Sequence, residues 1–228
     1  HMFGMDWLKP ETLIASFGAF AMIGVCIIVF IETGLLVGFF LPGDSLLFVA
    51  GLMVAGGAIQ FPTPDGHGWA VPIWLACAMI SLAAWLGDQT GYWIGRRVGP
   101  AIFNKQESRF FSQENVSRTN SFFERYGSKA IILAHFVPVM RTFVPVAAGV
   151  GQMSYRKFLR YNFIGVIGWG TGVTLLGFFL GKIPFVAEHV EYFTIGFVIV
   201  STIPIAIEVI KTRRQHVAEA LSSNSSED

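Results

Sequence analysis

The segment ETGLLVGFFLPGD, residues Glu32–Asp44, lies inside an almost unbroken apolar run that extends over residues 13–59. Two carboxylates and a Pro-Gly pair interrupt the run at this point. A carboxylate in hydrocarbon is costly unless it faces a cavity, a counter-charge or a proton. A Pro-Gly pair also leaves backbone polar groups that lipid cannot satisfy. The segment is therefore either a loop at a membrane face or a broken, re-entrant segment that lines a site.

The composition of the chain is typical of a membrane protein. Of its 228 residues, 53% are hydrophobic and 14% are charged, whereas soluble domains carry roughly 25% charged residues. The formal net charge of +1, with basic residues spread over loops that flank the membrane, argues against a nucleic-acid partner. Cys26 and Cys77 lie within apolar runs and are interpreted as core residues without a disulfide. We expect an all-α polytopic membrane protein with no cofactor and no metal site, since no metal-ligating His or Cys spacing occurs.

Basic residues predict which loops are cytoplasmic. The span at 72–95 leads into a polar segment, 96–129, that carries seven basic residues and is cytoplasmic by the positive-inside rule. Within it, residues 112–127 have the pattern of an amphipathic helix at the membrane surface. Residues 151–160 contain three further basic residues and are cytoplasmic for the same reason. The apolar segment 130–150 between these two loops must then enter and leave the membrane by the same face.

The N-terminal apolar run allows two arrangements, because it is too long for one span of about 20 residues. Two spans joined at PGD, residues 42–44, would place the N-terminus outside. One span followed by a re-entrant hairpin at 33–59 would place it inside, with the loop at 60–71 outside in both cases. We favour the second arrangement, because the two halves of the chain then form an inverted repeat with opposed broken segments, which is a transporter design.

The predicted architecture has about four transmembrane helices, two opposed re-entrant helical hairpins at 33–59 and 130–150, and the cytoplasmic amphipathic helix. Both termini are expected in the cytoplasm. Residues 1–12 are interpreted as a tag remnant, His1-Met2, followed by an interfacial lead-in. The predicted single membrane domain covers 13–210, with later spans at 161–181 and 194–210. Residues 211–228 are predicted to form a disordered cytoplasmic tail.

Four motifs carry a resemblance to a known family: Glu32, PGD at 42–44, GDQTGYWIGRRVG at 87–99, and FFERYGSKAIILAHFVPVMRTFVPVAAG at 122–149. Over about residues 20–181 the chain resembles the DedA family of bacterial inner-membrane proteins, within the wider group of VTT-domain lipid scramblases. The resemblance implies two opposed re-entrant hairpins. It also implies transport of a polyprenyl phosphate carrier lipid, undecaprenyl phosphate, across the inner membrane with dependence on the proton-motive force.

The same resemblance implies that Glu32 and Asp44 are essential acids and that Arg141 is an essential arginine. Many members carry an arginine where this chain has His135. Because a histidine can be neutral near pH 7 while an arginine is always charged, this difference bears on the coupling mechanism.

Glu32 and Asp44 are interpreted as an ion-coupling pair, the alternative being ordinary carboxylates in a loop at the membrane face. A buried carboxylate can take up a proton on one side and release it on the other. Arg141 is interpreted as the phosphate-binding residue, because its planar guanidinium suits a phosphate bidentately. A structural role as counter-ion to either acid is compatible with that function.

The remaining site residues are accessory or geometric. His135 is interpreted either as a hydrogen-bonded core residue or as part of the site, and Asp88 as a residue that bonds a hairpin or joins a proton path. Prolines and glycines are expected to shape the hairpins and to free backbone N–H groups for an anion; they are Pro42, Gly43, Pro138, Pro145 and Gly149. Glycines at 87, 91, 95 and 99, and a second set at 165, 168, 172, 177 and 181, predict close helix packing.

The leading hypothesis is a flippase for undecaprenyl phosphate, coupled to protons or sodium, with a homo-oligomer left open. One alternative is an antiporter of small cations or drugs, which needs the acids but no phosphate-binding arginine. Another is a membrane scaffold for envelope machinery that transports nothing. An enzyme is not expected, because the nucleophile, Walker and lipid-phosphatase motifs are missing; phosphate release from the lipid would reveal one.

Overall fold

The computed structural model describes residues 10–35, 43–61, 68–103 and 121–189, together with scattered positions between 192 and 214. These residues are mostly helical. The helices are α1 (Pro10–Gly34), α2 (Gly43–Ala55), α3 (Ile73–Phe103), α4 (residues 121–126), α5 (Ala130–Ala134), α6 (Pro138–Val150), α7 (Tyr155–Val166), α8 (Gly172–Gly181) and α9 (Pro184–Glu188).

The helix formed by α7 and α8 is continuous, because a π-helical turn, Ile167–Thr171, joins them. Among the described residues this helix, Tyr155–Gly181, is the one that is long and apolar enough to cross a membrane. Shorter apolar helices cover Phe20–Gly34, Gly43–Ala55 and Met140–Val150. Large apolar side chains point outward along several helices, as in Phe20, Trp74, Leu82, Phe163 and Phe179. Outward apolar faces of this kind suit contact with lipid.

Two segments differ from the sequence-based expectation. The loop predicted at 60–71 contains two short antiparallel strands, β1 (Gln60–Phe61) and β2 (Trp69–Ala70), with Gln60 opposite Ala70. α3 continues past the predicted end of its span at residue 95 and ends at Phe103. Arg96 therefore lies within the helix, and its guanidinium donates a 2.7 Å hydrogen bond to the Tyr92 hydroxyl one turn earlier.

Helix packing follows a reciprocal pattern between the two halves of the chain. α2 packs chiefly against α8, and α6 packs chiefly against α3. Glycines bring the backbones together at both crossings: Gly51 and Gly177 between α2 and α8, Gly95 and Gly149 between α3 and α6. A Cβ added at any of these four would collide with the backbone of the facing helix. Small residues permit this close approach.

The predicted packing role of the glycines is confirmed for part of each set. On α3, Gly87 lies against Thr33 of α1, and Gly91 and Gly95 lie against α6. On the second helix, Gly177 and Gly181 lie against α2, whereas a Cβ at Gly172 would meet no atom within 4 Å. The prediction that all five glycines of the second set form one packing surface is therefore wrong at Gly172, which faces away from the described helices.

Candidate functional site

Arg141 forms the centre of a buried charge cluster that three helices build. It lies on α6, with 1% of its surface exposed. Its Nη1 donates to Oε1 of Glu32 on α1 at 3.1 Å, and its Nη2 donates to Oδ2 of Asp44 on α2 at 3.2 Å. The structure thus brings together the three residues that the sequence predicted as one site, although Arg141 lies 109 positions after Glu32 and 97 after Asp44.

Glu32 is held in place by the start of α2 and by α6. The backbone of Gly43 lies directly against the Glu32 carboxylate, and an added Cβ would overlap Oε2, so the carboxylate would have to move away from its position on Arg141. Thr142, next to Arg141, donates its hydroxyl to the backbone carbonyl of Glu32 at 3.2 Å. Glu32 is 3% exposed, so its carboxylate depends on protein groups and not on solvent. The role of Gly43 is therefore close approach of backbone to a buried acid.

Asp44 is the more accessible acid. Its side chain is 32% exposed, against 4% for the side chain of Glu32. It lies in the first turn of α2, where the helix dipole favours a negative charge. Its second oxygen, Oδ1, accepts a 2.7 Å hydrogen bond from the indole N–H of Trp169. Asp44 therefore lies on the exposed side of the cluster, and Arg141 lies behind it.

Trp169 belongs to the site, and the sequence-based interpretation missed it. The Arg141 guanidinium carbon lies 4.2 Å from the centroid of its ring, within cation–π distance. The residue is 1% exposed and sits in the π-helical turn between α7 and α8. Single π turns inside α-helices occur frequently at functional sites. From the sequence alone, a tryptophan between two glycines in an apolar span has no feature that separates it from a packing residue.

A second buried polar pair joins the break between α5 and α6 to α3. Nε2 of His135 lies 2.8 Å from Oδ2 of Asp88, and Nδ1 of the same ring lies 2.9 Å from the Ile131 carbonyl oxygen. The two side chains are 2% and 0% exposed. Asn162 of α7 is also fully buried beside Asp88. Of the two roles considered for Asp88, bonding to a hairpin residue is the one this geometry displays.

The predicted hairpin residues occupy several different positions. Pro42 lies outside the described residues. Pro138 is the first residue of α6, where its missing N–H costs nothing. Pro145 lies inside α6 and cannot donate to the Arg141 carbonyl one turn earlier, which loses its helical partner. Pro145 and Gly149 both contact α3 and not the carboxylates, so their observed role is helix packing.

An apolar groove of about 1240 Å³ runs between α3 and the α7–α8 helix. On the α7–α8 helix, the residues that line the groove extend from Arg156 to Leu175, which corresponds to about 28 Å at the usual helical rise. This length is close to the roughly 30 Å of hydrocarbon in a bilayer. One end of the groove is basic, with Arg156 and Arg160, and the rest is lined mainly by apolar side chains such as Trp74, Leu82, Trp85, Phe163 and Ile167.

Comparisons with known proteins agree on one family. The model of the VTT domain matches residues 41–179. An uncharacterized membrane protein of Mycobacterium tuberculosis is 47% identical over 210 residues, covering 92% of this chain and 86% of the relative. Protein DedA of Escherichia coli is 40% identical over 202 residues, covering 89% and 88%. Inner membrane protein YghB of Escherichia coli is 34% identical over 161 residues, covering 70% and 68%. No solved structure matches the chain.

Proposed function

The chain belongs to the DedA family of VTT-domain membrane proteins, and on that premise we propose that it flips a polyprenyl phosphate, undecaprenyl phosphate, across the bacterial inner membrane. Transport returns the carrier lipid for envelope synthesis and is driven by the proton-motive force. The observation that carries the proposal is the buried Arg141 held between Glu32 and Asp44. No catalytic step is part of this function.

A phosphate can bind at the cluster by taking the place of a carboxylate on the Arg141 guanidinium. Arg141 gives one guanidinium nitrogen to each acid, so that two negative charges surround a single positive charge when both acids are ionised. A net buried negative charge is unfavourable, and protonation of one acid removes it. The guanidinium nitrogen released by that acid can then donate to a phosphate oxygen. Uptake of a proton and binding of the anionic headgroup are thereby coupled.

Asp44 is the acid that a headgroup would replace, because its side chain is the more exposed of the two. Glu32, enclosed by Gly43 and Thr142, stays with Arg141. The groove between α3 and α7–α8 supplies an apolar surface of membrane length for a prenyl chain, and its two arginines attract a phosphate at one end. Headgroup and chain thus each have a chemically suitable surface.

The proposal includes the membrane arrangement predicted from the sequence. Residues 13–210 form one membrane domain with opposed re-entrant hairpins at 33–59 and 130–150, and both termini are cytoplasmic. The reciprocal packing of α2 on α8 and of α6 on α3 supports an inverted repeat, because each hairpin helix then crosses the span of the other half. The break at His135–Val137 between α5 and α6 supports a hairpin at 130–150.

The re-entrant hairpin at 130–150 predicts that its two flanks lie on the same side of the membrane. Single cysteines at Ser128 and Ser154, in a background without Cys26 and Cys77, should both be protected from an impermeant maleimide in intact cells. A cysteine at Trp69, on the predicted external strand, should be labelled. Labelling of Ser154→Cys but not Ser128→Cys would make 130–150 a full span and contradict the arrangement.

Transport itself is tested in proteoliposomes with an imposed pH gradient and undecaprenyl phosphate. Glu32→Gln and Asp44→Asn are expected to lower the transport rate by about 100-fold or more, because neither amide can carry the coupling proton. Glu188→Gln, on the exposed face of α9, is the matched control and should transport like the parent. All variants should elute as folded protein in detergent.

The same vesicles separate the alternatives. Full transport in both site variants would refute the proposal. Ion flux without lipid movement would identify an antiporter of small cations or drugs, and movement of neither would identify a scaffold. Release of inorganic phosphate from the lipid would identify a phosphatase.

A further inference from the structure

The buried contact between Asp88 and His135 requires a proton between its two side chains. The Ile131 carbonyl can only accept a hydrogen bond, so Nδ1 of His135, 2.9 Å away, must carry a hydrogen. Nε2 and Asp88 Oδ2 are 2.8 Å apart, and two lone pairs cannot face each other at that distance. The pair is therefore either imidazolium with carboxylate or imidazole with carboxylic acid. Both forms hold one proton more than a neutral imidazole beside an ionised carboxylate.

The charged and polar groups described around the pair do not take the place of this proton between His135 and Asp88. Arg141 on α6 also acts on Asp88 electrostatically, but its guanidinium is already shared between Glu32 on α1 and Asp44 on α2. α7 and α3 contribute uncharged amides, Asn162 and Gln89. Tyr92, one turn along α3, is bonded to the Met153 carbonyl and to Arg96, and Lys129 before α5 is exposed. The π turn and α8 carry no titratable residue.

The position of the pair connects it to the proposed transport site. His135 lies at the break between α5 and α6, and α6 carries Arg141. Asp88 follows Gly87, which packs against Thr33 next to Glu32. Separation of His135 from Asp88 would therefore move α5 and α6 relative to the helices that hold Glu32.

We infer that Asp88 and His135 form a one-proton binding site that holds the α5–α6 segment against α3, and that opening of this contact to water releases the proton. This inference rests on the proposed function for its role in transport, since it names a step at which proton release accompanies movement of Arg141. The contact itself is independent of the lipid.

The direction of the pH effect follows from proton counting. An imidazolium in water loses its extra proton above about pH 6.5, and an aspartate in water stays ionised down to about pH 4. The open pair therefore holds no extra proton at pH 8, whereas the closed pair holds one. Opening is therefore favoured as pH rises. The equilibrium constant for opening approaches a tenfold increase per pH unit above about pH 6.5, and it is constant between about pH 4.5 and 6.

Pulsed EPR distances between spin labels test the inference without any lipid substrate. One label is placed at Leu86 on α3 and one at Leu133 on α5, both exposed positions, in a background with Cys26 and Cys77 replaced by alanine. In the full-length parent, the population with the longer separation should grow between pH 6 and pH 8.5. A distance distribution that is the same at every pH would overturn the inference.

Two variants remove the exchangeable proton in different ways. In Asp88→Asn the amide can donate to Nε2 of a neutral His135, and in His135→Arg the charge is permanent. Neither variant should show the growth of the longer separation between pH 6 and pH 8.5 that is expected of the parent. A pH response that persists in both variants would assign it to other groups and refute the inference. Lipid transport at fixed pH is measured separately, so a failed proton site and a failed transport proposal give different results.

Discussion

Replacement of Arg141 by alanine is expected to abolish polyprenyl phosphate transport and to destabilise the folded protein. The substitution leaves Glu32 and Asp44 without their shared cation, and removal of one partner from a buried ion pair costs roughly 3–5 kcal/mol. The loss also removes the cation over the Trp169 ring. Thermal unfolding in detergent, followed by tryptophan fluorescence, should show a lower midpoint at pH 8. Acidification should recover part of the stability, because protonated acids no longer need the cation.

Arg141→Lys separates the role in transport from the role in stability. Lysine keeps the positive charge but cannot give a planar pair of donors to two groups. We expect the folded protein to remain, with transport lowered roughly 10- to 100-fold, which corresponds to the loss of one hydrogen bond between charged groups. Arg125→Lys, at an exposed position of α4, is the control and should leave transport unchanged. Full lipid transport by Arg141→Lys would show that the planar donor pair of the arginine is not needed for phosphate binding.

Gly177→Ala is expected to lower the stability of the folded protein although it touches no charged group. An added Cβ would collide with the backbone of Phe48 on α2, including its carbonyl oxygen. Because backbone cannot move aside like the end of a side chain, α2 and α8 must separate. Overpacking of this kind costs typically about 1–3 kcal/mol. Since α2 begins at Gly43 beside Glu32, the displacement should also lower transport.

Gly172→Ala provides the matched comparison on the same helix. A Cβ at this position meets no atom within 4 Å, and alanine favours helix over glycine by up to about 1 kcal/mol. The midpoint of thermal unfolding should therefore be unchanged or slightly higher, whereas that of Gly177→Ala falls. Equal midpoints for the two variants would show that the α2–α8 contact is looser than the structure describes.

The three charged residues of the site were predictable because charge in an apolar segment is rare and costly. Glu32, Asp44 and Arg141 each interrupt such a segment, and opposite charges in an apolar interior are expected to meet. The identity of the partners was not predictable in the same way. No local pattern specifies that one guanidinium nitrogen pairs with Glu32 and the other with Asp44.

Trp169 and the Asp88–His135 pair show why sequence reasoning stopped short of the complete site. Trp169 occurs in an apolar helix where aromatic residues are ordinary, and its indole N–H becomes informative only once Asp44 lies 2.7 Å away. His135 and Asp88 are 47 positions apart. Their contact depends on how the break between α5 and α6 sits on α3, which is a property of the assembled helices.

The sequence by itself determined that this chain is a helical membrane protein of the DedA family, since composition and motifs need no tertiary information. It also identified ETGLLVGFFLPGD as the segment that carries two of the site's acids. Only the tertiary structure decided that Glu32 is enclosed, that Asp44 is partly exposed, and that Arg141 and Trp169 hold the second acid. The physical reason is that burial and hydrogen bonding depend on distances between helices that are remote in sequence, whereas hydrophobicity and charge are properties of each residue.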